Sequence, residues 1–204
     1  ADLPKEVNES LMGFIGRLVE SGLAEKATNV GDKIHDFILP NAHGKQVKLY
    51  DLLNDGPVVI TFYRGGWCPF CCLELKGYQK LVPEINAQGA TLIAILLELH
   101  DSSLSTVEKF ELKFEVLSDI GNVVANNLGL VFSLEPAIRE IYKQFEFDLS
   151  KINGDDSWSL PIPATYVIDR DGMVVWADVN ANYTERSEPS DVLKALKKLN
   201  KTAA

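Results

Sequence analysis

Residues 57–72 read PVVITFYRGGWCPFCC, an apolar run followed by two glycines and then by all three cysteines of the chain. The run over 57–63 is rich in β-branched and aromatic residues, which is typical of a buried central strand. Gly65 and Gly66 interrupt that pattern, and a helix is predicted soon afterwards, over about 71–86. The three cysteines therefore lie where a strand ends and a helix begins.

Cys68 and Cys71 are suited to thiol redox chemistry. They are three residues apart, so on a first helical turn they face each other and can form a disulfide without long-range rearrangement. Free backbone N–H groups and the positive end of the helix dipole stabilise a thiolate at such a position, which lowers its pKa below the usual ~8.5. Pro69 suits a first helical position, and Arg64 adds a nearby positive charge.

Structural and metal-binding roles for the cysteines are the alternatives. Zinc usually takes four ligands from paired positions, and the sequence has no second C-x-x-C and no H-x-x-H. We therefore predict no metal and no other cofactor. The isolated His35, His43 and His100 are predicted to be solvated or structural. Cys72, which points about 100° away from Cys71 on a helix, is predicted to be a buried apolar residue.

Charge and composition exclude several classes of partner. The 204 residues include 29 acidic and 20 basic side chains, which gives a formal net charge of −9. A nucleic-acid binder needs a basic face and an anionic membrane repels acidic surfaces, so neither partner is expected. The longest apolar run, 92–97, is too short to span a bilayer. No targeting signal is visible, and clustered cysteines fit a reducing compartment, so we expect a cytoplasmic protein.

The rest of the chain alternates strands with helices. Strand–helix–strand over 57–98 implies a parallel crossover, and 164–179 has the pattern of a hairpin. Further short strands are predicted at 36–40, 47–49 and 114–117, and helices at 103–110, 122–128, 136–144 and 189–199. We expect one α/β domain over 31–204, with a central mixed sheet flanked by helices, preceded by an N-terminal helical arm over 1–30.

Four segments resemble a known family. Residues 67–71 are similar to the active-site motif of the thioredoxin superfamily, and 62–71 as a whole resemble the active-site loop of the peroxiredoxins, in their alkyl hydroperoxide reductase and thiol-specific antioxidant branch. Residues 31–39 resemble the opening segment of that branch, and 116–119 and 165–172 its later strands. The resemblance covers about residues 30–200 and implies a thioredoxin-like fold.

The active-site positions depart from the family pattern P-x-x-x-T-x-x-C. Arg64 stands in place of the proline and Cys68 in place of the threonine, while Cys71 stands where the peroxide-attacking cysteine would be. Pro163 occupies the place of the family's catalytic arginine. The chain most resembles the peroxiredoxin-like subgroup in which a C-x-x-C replaces the usual cysteine pair.

Two residues outside the motif are linked to it by these departures. Arg186, like Arg64, is a candidate for the lost cation, although an ion pair with Glu185 or Glu188 at the surface is the favoured expectation. Pro163 lies near the place of the cis-proline that thioredoxin-like oxidoreductases set opposite their C-x-x-C. The alternative is an ordinary trans proline that opens an edge strand.

The resemblance implies a thiol peroxidase with an antioxidant function. Cys71 would attack the hydroperoxide and become a sulfenic acid, and Cys68 would condense with it to a disulfide. Arg64, Trp67 and Pro163 would support the pair. The expected partners are a hydroperoxide substrate and a thioredoxin- or glutaredoxin-type reductant, and a homodimer is left open as an assembly.

Two other functions compete with the peroxidase. The first is a protein disulfide oxidoreductase, in which Cys68 would be the more exposed cysteine at the helix tip and would attack the disulfide of a partner protein. Cys71 would then resolve the mixed disulfide. The other is a non-catalytic interaction module that uses the helical arm, and the intact C-x-x-C argues against it.

Overall fold

A computed structural model describes residues 3–202, with the backbone alone at 100–102. The helices are Lys5–Glu20 (α1), Leu23–Lys26 (α2), Leu49–Asp55 (α3), Pro69–Ala87 (α4), His100–Phe110 (α5), Val123–Asn127 (α6), Pro136–Gln144 (α7), Leu149–Asn153 (α8) and Pro189–Thr202 (α9). The strands are Ile38–Pro40 (β1), Gln46–Lys48 (β2), Val58–Phe62 (β3), Thr91–Leu96 (β4), Glu115–Ser118 (β5), Val131–Ser133 (β6), Ser159–Pro161 (β7), Ala164–Ile168 (β8) and Val174–Val179 (β9). No helix in this part of the chain is long and apolar enough to cross a membrane.

The central sheet has the strand order β5-β4-β3-β8-β9. β3 runs parallel to β4 and antiparallel to β8, with Phe62 opposite Ala164. The sheet is therefore mixed, as predicted, and the crossover from β3 through α4 to β4 is the expected parallel connection. All five residues of β3 are buried, which explains its uniformly apolar sequence.

Two apolar clusters lie on opposite faces of this sheet, because successive side chains of a strand point to opposite sides. Val59 packs on one face with Tyr78 of α4 and Val192 of α9. Ile60 belongs to the larger cluster on the other face, which also includes residues of α1, α3 and α7. Helices therefore flank the sheet on both sides.

The predicted helical arm consists of two helices. Ser21 ends α1, and Gly22 has a left-handed backbone with φ of 67° before α2 begins. Phe14, Ile15 and Leu18 of α1 are buried in the larger cluster. The division into an arm over 1–30 and a domain over 31–204 stays a prediction.

Several short elements have no counterpart in the sequence prediction. These are α3, α8 and the antiparallel pair β6–β7, which span three to seven residues each. Leu49, predicted to lie in a strand, is the first residue of α3. Such short segments contain too few residues to display a period of 2 or of 3.6.

Candidate active site

The loop after β3 places the cysteines at the start of α4. Cys68 is the N-cap residue and has an extended backbone, and Pro69 is the first helical residue. The carbonyl of Cys68 accepts a hydrogen bond from the backbone N–H of Cys72 at 3.0 Å, and the N–H of Cys68 donates to the carbonyl of Gly65 at 3.1 Å. The helix thus begins two residues before the predicted position and includes Cys71 in its first turn.

Both cysteines of the C-x-x-C are free thiols buried beneath the loop. Cys68 is 1% exposed and Cys71 is 0% exposed. Cys68 lies at the helix tip as expected, but it is almost as buried as Cys71, because Trp67 of the preceding loop packs against the cluster that contains both cysteines. Cys72 is half-buried rather than buried, and its Sγ donates to the carbonyl of Gly66 at 3.1 Å, so its predicted role as a simple apolar residue is wrong.

Arg64 lies beside the first cysteine, as its position in the loop suggested. Its Nη1 is 3.9 Å from the Sγ of Cys68, and Nη2 donates to the hydroxyl of Tyr142. The Cζ atom lies 3.7 Å from the ring centroid of Tyr183 and 5.1 Å from that of Trp67. Arg64 is 2% exposed, so its charge acts on the sulfur with little screening by water.

Arg186 reaches the second cysteine. Its Nη2 is 3.6 Å from the Sγ of Cys71, and its Nε donates to a carboxylate oxygen of Glu74 at 3.0 Å. The expected surface ion pair with Glu185 or Glu188 is wrong, because Arg186 pairs with Glu74 and meets Glu185 only through its backbone carbonyl, at 2.8 Å. Its Nη1 also donates to the backbone carbonyl of Tyr183. The loop after β9 folds back onto α4, where Glu74 follows Cys71 by three residues and lies on the same helix face.

The two cysteines have opposite pKa shifts. The hydrogen bond from Cys71 lowers the pKa of Cys68 to about 5, and the charges of Arg64 and Arg186 act in the same direction, against the effect of burial. Burial, together with the neighbouring Cys68 sulfur, raises the pKa of Cys71 well above its usual value. These directions favour Cys68 as the thiolate of the pair.

Two buried carboxyl groups lie next to the cysteines. Burial raises the pKa of Glu74 to about 7, although Arg186 acts against it. Burial likewise raises the pKa of Glu98 to about 7, and its Oε1 accepts a hydrogen bond from the N–H of Gly66 at 3.0 Å. Neither group was predicted from the sequence. The spacing of Glu74 from Cys71 was a usable signal, whereas Glu98 follows β4 and has no local pattern that marks it.

Pro163 is buried at the same end of the sheet as the cysteine loop, directly before β8. All peptide bonds between described residues are trans, so Pro163 is not a cis-proline. β8 lies between β3 and β9, so the alternative of an edge strand is wrong as well. The carbonyl of Pro163 accepts a hydrogen bond from the N–H of Asn180 at 3.2 Å. That contact anchors the loop that includes Tyr183 and Arg186.

The remaining candidates are dispersed. His35 and His43 are exposed, and the side chain of His100 is outside the described residues. Among the side chains that the structure describes, no three histidine, cysteine or acidic groups are placed together as ligands of a metal ion.

The charge of Arg64 leads to a first prediction. Arg64→Met should raise the pKa of Cys68 and leave the fold intact, because methionine fills similar apolar space without the cation. The higher pKa means less thiolate at low pH. For a rise of about one unit from a pKa of about 5, alkylation of Cys68 by iodoacetamide should slow about fivefold at pH 5 and match the parent rate above about pH 7. Mass spectrometry of the Cys68 peptide measures the rate. If the midpoint of the alkylation rate against pH does not move, Arg64 has only a structural role in the turn.

The sequence is similar to those of known thiol-dependent proteins. The chain is 24% identical over 168 residues to the thiol-disulfide oxidoreductase ResA of Bacillus thuringiensis subsp. konkukian, which covers 81% of this chain and 79% of the relative. It is 31% identical over 100 residues to a putative peroxiredoxin of Mycobacterium tuberculosis, covering 49% of this chain and 65% of that protein.

The fold is also found in solved structures. The crystal structure of peroxidoxin BcpB from Mycobacterium tuberculosis superposes with a TM-score of 0.68 at 23% identity, over 84% of this chain and 98% of that one. This likeness confirms the expected thioredoxin-like fold. The family model described as the AhpC/TSA family matches residues 30–177, well over half of the sequence. The chain belongs to the AhpC/TSA family.

Proposed function

We propose that the protein is a thiol peroxidase, which reduces hydroperoxides with the Cys68–Cys71 pair. The observation that carries the proposal is the environment of the Cys68 sulfur, which lies 3.9 Å from the Arg64 guanidinium and next to the Cys71 thiol. Membership of the AhpC/TSA family supports the same activity.

The reaction begins with the thiolate of Cys68. Its sulfur attacks one hydroperoxide oxygen, the O–O bond breaks, and the leaving alkoxide or hydroxide takes a proton from water. Cys68 is then a sulfenic acid. The Cys71 sulfur attacks it, an S–S bond replaces the S–O bond, and the released hydroxide leaves as water with the Cys71 proton. A thioredoxin- or glutaredoxin-type dithiol returns two electrons and two protons to the disulfide.

The roles of the two cysteines differ here from those that the resemblance implies. The resemblance assigns the attack to Cys71. We assign it to Cys68, because its lowered pKa supplies the nucleophilic thiolate near neutral pH, whereas Cys71 keeps its proton until the resolving step.

The two arginines stabilise the negative charge that moves from sulfur to oxygen. Arg64 has a buried Nε without a hydrogen-bond partner, and we propose this N–H as a donor to a peroxide oxygen. Arg186 is held by Glu74 and faces Cys71. Trp67 and Pro163 are proposed as supporting residues, since Trp67 packs over the pair and Pro163 adjoins the end of β3 where the loop begins.

A protein disulfide oxidoreductase is the second candidate. The similarity to ResA and the lowered pKa of the first cysteine favour it. The burial of both sulfurs is the argument against it, because a partner protein must bring its own disulfide into contact with the attacking sulfur. Hydrogen peroxide is far smaller than a protein disulfide, so it needs a much narrower path to the buried sulfur.

Stopped-flow oxidation of the fully reduced protein by hydrogen peroxide, beside an insulin-reduction assay, distinguishes the two. Rapid consumption of peroxide without insulin reduction is the expected result. Insulin reduction without peroxide consumption would overturn the peroxidase in favour of the oxidoreductase. The Cys72→Ser variant is the matched control, since it removes one cysteine of the cluster and leaves the C-x-x-C intact.

A second prediction concerns the product. Mild oxidation should form an intramolecular Cys68–Cys71 disulfide and leave Cys72 reduced, because Cys68 and Cys71 are adjacent whereas Cys72 points to the Gly66 carbonyl. Peptide mapping after alkylation identifies the bond. A Cys71–Cys72 bond, or intermolecular dimers alone, would contradict the prediction.

We also keep three proposals about the setting of this activity. The cytoplasm, a reducing compartment, suits a chain whose three clustered cysteines act as thiols. The helical arm over 1–30 is proposed as a unit separate from the domain over 31–204. A homodimer is a proposed assembly, which the mass of the protein in solution tests.

A further inference from the structure

We propose that Tyr142 and Tyr183 are positioning residues of the active site, which hold the guanidinium of Arg64 against the sulfur of Cys68. The inference rests on the proposed function in one respect, that Cys68 is the reacting thiolate. Neither tyrosine is in the C-x-x-C loop: Tyr142 lies on α7, and Tyr183 lies in the loop between β9 and α9.

Arg64 needs such support because it has no ion pair. Among the described side chains, the ion pairs involve other residues, and no carboxylate lies within ion-pair distance of its guanidinium. Arg186 differs, since Glu74 holds it at 3.0 Å. A long flexible side chain that carries a buried charge adopts one geometry only where neighbours fix it.

The two tyrosines supply that constraint through two different contacts. The hydroxyl of Tyr142 accepts a hydrogen bond from Nη2 of Arg64. The ring centroid of Tyr183 lies 3.7 Å from Cζ, a cation–π contact that holds the guanidinium against the ring. The other terminal nitrogen, Nη1, then faces the Sγ of Cys68 at 3.9 Å.

Other parts of the fold hold the tyrosines in place. Tyr142 is 7% exposed and shares the buried face of α7 with Ile138. The ring centroid of Trp67 lies 5.6 Å from that of Tyr142. Tyr183 is 6% exposed. Both rings are therefore fixed before the cysteine reacts, which is what a positioning role requires.

The expected effect is on the Cys68 thiolate. Removing the Tyr142 hydroxyl leaves Nη2 buried without its acceptor, so the guanidinium shifts away from the sulfur and the attraction weakens with distance. Besides Arg64, the charged or titratable groups that interact with Cys68 are Arg186, Cys71, Cys72, Glu74 and Tyr183. The substitutions leave the first four intact, and Tyr183, whose pKa burial raises to about 12, carries no charge near pH 5.

The test is the pH dependence of Cys68 alkylation by iodoacetamide in the reduced protein. Tyr142→Phe and Tyr183→Leu should each slow the reaction at least about threefold near pH 5, by raising the midpoint. Tyr183→Phe keeps the ring that contacts Arg64 and loses only the hydroxyl that hydrogen-bonds Tyr142, so its midpoint should move less than that of Tyr183→Leu. Tyr166→Phe, which removes another buried tyrosine hydroxyl, is the matched control and should not move the midpoint.

A double-mutant cycle separates positioning from a merely structural role. In an Arg64→Met background, Tyr142→Phe should shift the midpoint no further, because the residue through which it acts is gone. An equal shift with and without Arg64 would overturn the proposal, as would an unmoved midpoint in both Tyr142→Phe and Tyr183→Leu. Circular dichroism verifies that each variant folds. If the Tyr142→Phe protein does not fold, the comparison of Tyr183→Leu with Tyr183→Phe still tests the proposal. Because the alkylation assay contains no peroxide, its result can be interpreted even if the protein proves not to reduce peroxide.

Discussion

The Cys71→Ser protein is expected to consume one equivalent of hydrogen peroxide and to hold the resulting sulfenic acid on Cys68. The Cys68→Ser protein is expected to react at least about a hundredfold more slowly, because burial keeps the remaining Cys71 protonated. Serine at position 71 still offers a hydroxyl donor, so the hydrogen bond that lowers the pKa of Cys68 is replaced rather than lost.

Mass spectrometry of both variants, with trapping of sulfenic acids, measures this outcome. Cys72→Ser is the matched control and should keep the full cycle of oxidation and disulfide formation. The opposite pattern, with a sulfenic acid on Cys71 in the Cys68→Ser protein and none on Cys68 in the other, would restore the assignment that the family resemblance implies. It would also show that peroxide meets the buried second cysteine first.

Gly65→Ala is expected to lower the free energy of unfolding by about 2–4 kcal/mol and to disturb the active-site loop. Gly65 has φ of 152°, a conformation that side chains other than glycine rarely adopt. A Cβ atom there would lie 2.2 Å from Nε1 of Trp67 and 2.4 Å from Oε1 of Glu98. Relief of these contacts requires Trp67 to move, and Trp67 packs over the cysteine pair.

Urea unfolding of reduced protein gives the stability, and alkylation of Cys68 reports on the loop. Gly16→Ala is the matched control: this glycine lies within α1, and an added Cβ would meet nothing within 4 Å. That control should raise stability by up to about 1 kcal/mol, since alanine favours a helix. If Gly65→Ala proved as stable as the parent, with unchanged alkylation, the loop would not be under the constraint described.

Much of the fold was predictable because its longest elements have clear periods. The apolar run before the cysteines became β3, and the helical spacing after it became α4. The predicted helix at 136–144 matches the bounds of α7. The short strands β6 and β7 were missed, because their pairing joins residues that are far apart in the sequence and neither strand displays a period of its own.

The active site divides in the same way. The C-x-x-C, its position at a helix start and the nearby Arg64 follow from residues within a few positions of one another, so the sequence alone indicates redox chemistry. The residues that contact the two arginines cannot be predicted in this way. Arg186 meets Glu74 across 112 residues, and Arg64 meets Tyr142 across 78.

Which cysteine becomes the thiolate is a property of the folded molecule. The pKa of each sulfur depends on its burial and on charges brought from distant segments, and those quantities exist only once α4, α7 and the loop before α9 have packed together. From the sequence one can read that two cysteines react, because helix geometry sets their separation. Packing sets the order in which they do so, because the electrostatic energy of a buried thiolate depends on neighbours that lie close in space and far apart along the chain.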